Sequence, residues 1–158
     1  MSGPSANSKT PVHDVERVAR VLLVDDDAGD QYLVRRALTN NGGKADLLVI
    51  DHGDTALDYL HRCTDPDHEQ SGRPDLLLLD LNLPGSDGFS ILSAVRSDAR
   101  LESMPVIVIS TSSRDEDIAQ SYRLGCNAYV VKPESASTFI QVIHAVSKYW
   151  LGVDLLHP

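Results

Sequence analysis

Residues 76–84 read LLLLDLNLP, four leucines in succession and then Asp80, Leu81, Asn82, Leu83 and Pro84. A short unbroken apolar run closed by an acid and a turn-forming proline suits a strand buried on both faces of a parallel sheet, where no position faces water. The same pattern recurs at residues 21–24, 47–50, 106–109 and 128–131. Helical periodicity fills the gaps between these runs. Leu33, Val34 and Ala37 form one apolar stripe, Ala56, Leu57 and Leu60 a second, and Ile91, Leu92 and Val95 a third. Ile118, Ser121, Tyr122 and Gly125 outline a shorter fourth helix, and Phe139, Val142, Ile143, Val146 and Trp150 a long fifth one. Capping is expected from Asp54 or Thr55 in the second helix, and from Ser112 or Ser113 with Glu116 in the fourth.

Five strand–helix units of this size predict an α/β fold. The expected form is a five-stranded, doubly wound parallel sheet of flavodoxin-like order 2-1-3-4-5, joined by right-handed crossovers. Residues 1–17, rich in Ser, Pro, Asn and Gly at the start, read as a leader without ordered structure, 18–152 as the domain and 153–158 as a tail. The polar stretch 63–74 is expected to be a surface loop, and Gly42-Gly43-Lys44 a turn.

Acidic residues outnumber basic ones 23 to 14, a balance that repels nucleic acid and anionic membranes. No apolar run approaches a membrane span. Cys63 and Cys126 are far apart and fit a reducing compartment, so the expected location is cytoplasmic. The six histidines show no metal-ligand spacing.

Chemistry is expected where the strands end, because ligands of such sheets bind beyond the carboxyl ends at the switch point of strand order. Those ends carry Asp25-Asp26-Asp27, Asp80, Ser110-Thr111 and Lys132-Pro133. Crowded carboxylates repel one another and call for a cation. Mg²⁺, with its oxygen ligands and retained waters, suits a site that also receives a phosphoryl oxygen. Lys132 and the hydroxyl of Ser110 or Thr111 can hold further phosphoryl oxygens, which completes the parts that phosphoryl transfer to a carboxylate requires. Taken singly, each residue also has a plainer reading. Asp25 to Asp27 could cap the next helix, Asp80 could start a turn, Lys132 could be a surface lysine, and Tyr129 could be a packing aromatic. It is their joint position that favours a site.

The set Val24-Asp25-Asp26, Leu79 to Pro84, Ser110-Thr111-Ser112 and Tyr129 to Pro133 resembles the receiver domain of two-component response regulators, from about Arg20 to Trp150. Asp80 to Pro84 with Asp87-Gly88, Asp117-Ile118 with Ser121-Tyr122, Arg73-Pro74-Asp75 and Tyr149-Trp150-Leu151 make it most similar to stand-alone regulators paired with phytochrome-type histidine kinases.

The resemblance implies that Asp80 accepts a phosphoryl group from such a kinase, and that Asp25 and Asp26 bind Mg²⁺ together with Asp80 and the backbone carbonyl of Asn82. It implies that Lys132 pairs with the phosphoryl group, that Ser110 turns toward it, and that Tyr129 is the switch aromatic. It further implies a cis Lys132–Pro133 bond and a homodimer through the fourth helix, fifth strand and fifth helix. Gly85-Ser86 stands where relatives carry basic residues, so the loop after Asp80 is expected to be more mobile. Two other functions fit less well: a receiver-like binding module that is never phosphorylated, and a haloacid-dehalogenase-type phosphatase. The latter needs a second Asp two residues after the nucleophile, where this chain has Asn82.

Overall fold

The computed structural model describes residues 18–39, 45–68 and 72–151. Five strands alternate with five helices: β1 (Ala19–Val24), α1 (Ala28–Thr39), β2 (Ala45–Ile50), α2 (Gly53–Cys63), β3 (Leu76–Leu79), α3 (Gly88–Ser97), β4 (Val106–Ser110), α4 (Asp115–Arg123), β5 (Ala128–Val131) and α5 (Ala136–Leu151). All pairings are parallel, and the order is β2-β1-β3-β4-β5, as the strand pattern predicts.

Alternate residues of each strand feed two cores. Leu22, Val24, Leu77, Leu79, Val106 and Val108 pack with Ala56 and Leu60 of α2 and Ile91, Leu92 and Val95 of α3. Val21, Leu23, Leu76, Leu78, Ile107 and Ile109 pack on the other face with Val34, Ala37 and Leu38 of α1 and Phe139 and Ile143 of α5. This two-faced burial is why β1, β3 and β4 read as unbroken apolar runs. The edge strands β2 and β5 are only partly buried, because each has one neighbour instead of two.

Several local expectations are corrected. His52 caps α2, its Nδ1 accepting the Asp54 N–H at 3.2 Å, in place of Asp54 or Thr55. The α4 N-cap is Arg114, without a side-chain cap bond. Ser112 Oγ donates to Asp117 and not to Glu116, which pairs with Arg114. In α4 only Ser121 is buried, leaving Tyr122 exposed. The expected leader 1–17, the glycine turn at 42–44 and the tail 153–158 lie outside the described residues. Among the described residues no helix is long and apolar enough to cross a membrane.

One tie was not legible in the sequence. Arg96 of α3 donates from Nε to the Gly125 carbonyl at 2.8 Å, from Nη1 to those of Glu102 and Met104 at 2.9 and 2.7 Å, and from Nη2 to Asn127 Oδ1 at 2.8 Å. Asn127 Oδ1 also accepts the Val106 N–H at 2.8 Å. One guanidinium thus fastens the loops on both sides of the β4–α4 unit. Arg96→Met keeps the aliphatic stem but strands these carbonyls, so urea denaturation should show a loss of about 2–3 kcal/mol.

Candidate functional site

The strand register sets the site. Val24 pairs with Leu79, so Asp25 and Asp80 leave adjacent central strands side by side, with Asp80 N–H donating to the Val24 carbonyl at 2.9 Å. Ser110 pairs with Val131, and Lys132 N–H donates to the Ser110 carbonyl at 2.7 Å, which brings the lysine to the same end of the sheet. Its side chain then reaches across β4 and β3. Nζ lies 2.8 Å from Asp80 Oδ2, 3.1 Å from Asp25 Oδ2 and 2.7 Å from Asp30 Oδ2, with only 7% of the side chain exposed. The ammonium's three donors meet three carboxylates.

The Lys132–Pro133 bond is trans, since no described peptide is cis, and this corrects the expectation of a cis bond. The trans form is the ordinary preference of an X–Pro amide. The four-carbon lysine stem still reaches the acids from it.

Asp25 and Asp80 are buried, and Asp26 is exposed at the mouth. One oxygen from each lies within 4.8 Å of the others, the arrangement that the run of acids at the strand ends predicts. With Asp30 beside them, these carboxylates outnumber the one ammonium. The donors are all hard oxygens, and the negative excess fits a divalent cation such as Mg²⁺. The electrostatics of Asp25 agree. Burial pushes its carboxyl up to about 6 from 3.8, outweighing the Asp27 N–H bond and the attraction of Lys132, while Asp80 adds repulsion. Burial alone would lower the Lys132 ammonium, but its bonds to Asp30 and Asp80 and the charge of Asp25 raise it above the usual lysine range.

Asp30 is a site member that sequence reasoning missed. The available signal was its place on the first turn of α1, directly after the acids that end β1. Asp27 takes the capping role, with Oδ1 accepting the Asp30 N–H at 2.8 Å.

Ser110 and Tyr129 meet through Ser112. Ser110 is fully buried, and its Oγ accepts the Ser112 N–H at 3.1 Å. Tyr129 is half-buried, and its hydroxyl donates to the Ser112 carbonyl at 2.7 Å. Asn82 is exposed, and its N–H donates to Asp80 Oδ1 at 3.1 Å.

A carboxyl whose proton is held more tightly in the folded state favours folding at low pH. Between the unfolded value of 3.8 and the folded value of about 6, stability should therefore fall as pH rises, and stay level above. The isosteric Asp25→Asn removes the charge and keeps one acceptor oxygen for the Asp27 N–H, giving up the acceptor that Lys132 Nζ uses. In metal-free buffer it should melt higher than wild type at pH 7–8, by on the order of 2–3 kcal/mol at most, and the gain should vanish toward pH 4. Thermal melts across that range check the sign.

Comparison with known proteins agrees with this geometry. The model of the response regulator receiver domain matches residues 21–144. The chain is 36% identical to the probable methanogenesis regulatory protein FilR2 of Methanothrix harundinacea, over 84% of this chain and 83% of that protein. It is 32% identical to the response regulator Rcp1 of Synechocystis, over 83% of this chain and 88% of that one. A Mn²⁺-bound crystal structure of Rcp1 superposes with a TM-score of 0.76, covering 84% of this chain and 94% of that one. The phosphorylated cyanobacterial phytochrome response regulator RcpA, 35% identical, superposes with a TM-score of 0.77 over the same shares of the two chains. With Asp25, Asp80 and Lys132 gathered at the carboxyl end of a 2-1-3-4-5 sheet, the chain belongs to the response regulator receiver family.

Proposed function

We propose that this receiver domain accepts a phosphoryl group on Asp80 from the phosphohistidine of a phytochrome-type histidine kinase, with Mg²⁺ in the acid cluster. The observation that carries the reading is the contact of Lys132 Nζ with both Asp80 and Asp25, 52 and 107 residues away in sequence. A buried ammonium beside a buried carboxylate gives a developing phosphoryl charge a fixed counter-charge.

Asp80 attacks the phosphorus with a carboxylate oxygen. The P–N bond to the donor imidazole breaks as the acyl phosphate P–O bond forms, and the electron pair leaves with the imidazole. Asp80 Oδ1 is oriented by the Asn82 N–H and Oδ2 by Lys132. Once Asp80 is phosphorylated, the N–H that Lys132 gave it is free for a phosphoryl oxygen, while Asp30 keeps the ammonium anchored. Asp25, Asp26 and Asp80 would hold the divalent ion with the Asn82 carbonyl, and the ion would neutralise charge on the transferring group. Turning the Ser110 hydroxyl toward the phosphoryl group costs the Ser112 N–H its acceptor and loosens the carbonyl on which Tyr129 rests. The event at Asp80 then reaches α4 and β5.

The relatives named above are regulators, and the chain's function is read as signalling, not turnover. RcpA is a cyanobacterial phytochrome response regulator, which supports a kinase of that type here. The excess of 23 acidic over 14 basic residues argues against nucleic acid and membrane as partners. Two free, buried thiols suit a reducing cytoplasm.

Output is proposed to pass through a homodimer formed by α4, β5 and α5. On these elements Tyr122, Val131 and Tyr149 are 50%, 41% and 76% exposed, and Tyr149 stacks edge-on against Trp150 at 5.2 Å. Large exposed apolar groups mark interfaces. Sedimentation at tens of micromolar should show a dimer that Tyr149→Asp weakens and phosphorylation strengthens. A strict monomer in both states would leave the kinase as the partner.

Incubation with Mg²⁺ and a small acyl phosphate should add one phosphoryl mass, labile to hydroxylamine. Asp80→Asn should abolish the adduct with the fold intact by circular dichroism. An unlabelled wild type would instead indicate a binding module, and stoichiometric labelling of the Asp80→Asn protein at another carboxylate would overturn the assignment.

A further inference from the structure

The loop from β3 to α3, residues 81–87, was expected from Gly85-Ser86 to be more mobile, yet it is tied to the start of α2. Ser86 donates twice to one oxygen, Asp54 Oδ1, from its backbone N–H at 3.2 Å and from Oγ at 2.5 Å. Gly53 N–H donates to the Pro84 carbonyl at 2.9 Å. The two backbones approach so closely that a Cβ on Gly53 would lie 1.7 Å from the Ser86 carbonyl oxygen. Gly85 turns the loop at φ +77, where a Cβ would lie 2.3 Å from His52 Cε1. The Asp54 side chain is thus presented to the loop from the capped first turn of α2, and the Ser86 hydroxyl holds its carboxyl below the usual carboxylate range.

The other end of the loop belongs to the acceptor site. Asn82 N–H donates to Asp80 Oδ1 at 3.1 Å, and the Gly88 N–H donates to the Leu81 carbonyl at 3.0 Å. Asp87 caps α3 through the Ser90 N–H at 2.9 Å. A loop fixed at α3 and at Asp80 has its tip free to swing unless something holds residues 84–86. That hold rests on one exposed carboxylate and one close backbone contact.

We propose that Asp54 is a positioning residue for the acceptor site: by holding Ser86 it fixes the β3–α3 loop, and through the loop the Asn82 backbone at Asp80. This rests on the reading of Asp80 as phosphoacceptor. Asp54 makes these bonds to the loop and not to the site acids, so its effect is on the placement of the Asn82 backbone, which is where ligand geometry is sensitive to outer supports.

Two variants separate anchoring from charge. Asp54→Ala removes the acceptor, whereas Asp54→Asn removes the charge and keeps an oxygen able to accept both Ser86 bonds. For each, the readouts are ¹⁵N relaxation of the Asn82 and Ser86 amides, the Mg²⁺ dissociation constant from titration, the rate of labelling by acyl phosphate, and the melting temperature. Asp54→Ala should broaden both amides, weaken Mg²⁺ binding and slow labelling by about tenfold, with the melting temperature little changed. Asp54→Asn should stay near wild type in all four. If Asp54→Asn matches Asp54→Ala, charge and not anchoring is at work, and the proposal fails. It fails equally if Asp54→Ala leaves the Asn82 amide and Mg²⁺ affinity unaltered. A wild type that takes no label sinks the acceptor reading alone, because relaxation and Mg²⁺ titration still decide what Asp54 does.

Discussion

The structure turns on one buried ammonium. Lys132 Nζ sits among Asp25, Asp30 and Asp80 with its side chain almost fully covered, and these carboxylates come from the end of β1, the first turn of α1 and the end of β3. Gathering them without a cation would cost several kcal/mol in desolvation and repulsion. Lys132 offsets much of that cost but not all of it, which is why Asp25 holds its proton up to about 6. A site left short of positive charge is one that a divalent ion can complete. Stability and chemistry are opposed here, as they often are where charge is stored for function.

The ammonium gets there because the sheet is parallel and its register is tight. Val24 and Leu79 are paired across β1 and β3, so Asp25 and Asp80, one step beyond them, emerge together at the carboxyl end of the sheet, while in β4 Val108 is level with Leu79 and Ser110 follows two steps on. The two-faced core leaves the strands no freedom to slip, since a shift of one residue would exchange the sets packed against α2 and α3 for those packed against α1 and α5. Site geometry is thus inherited from core packing.

Around this edge the loops are joined to one another as well as to the strands. Ser112 takes four bonds: its N–H reaches Ser110 Oγ, its carbonyl accepts from Tyr129, and its hydroxyl donates to Asp117 while accepting from the Arg114 N–H. A displacement of Ser110 therefore bears at once on α4 and on the aromatic of β5. On the opposite side of the crevice the Asp54–Ser86 bonds tie α2 to the loop after Asp80. The two sets of ties flank Asp80 and join its surroundings into units.

Strand identity, order and the polar residues at the strand ends were legible from sequence, because burial on both faces leaves a continuous apolar run and a parallel α/β sheet has few permitted topologies. That is why Asp25, Asp26, Asp80, Ser110 and Lys132 could be named without coordinates. What could not be read were contacts made by groups distant in sequence or local in three dimensions. Asp30 as a partner of Lys132, Arg96 bridging two loops, Ser112 bonded to Asp117 in place of a capping box, His52 in place of Asp54 or Thr55 as a cap, and the trans Lys132–Pro133 bond all belong here. Hydrophobic periodicity is a property of the chain itself, so sequence determined the fold and the ends of its strands. A polar side chain's partner depends on which neighbours the packed helices bring within 3 Å of it, and that was decided only when the tertiary structure closed.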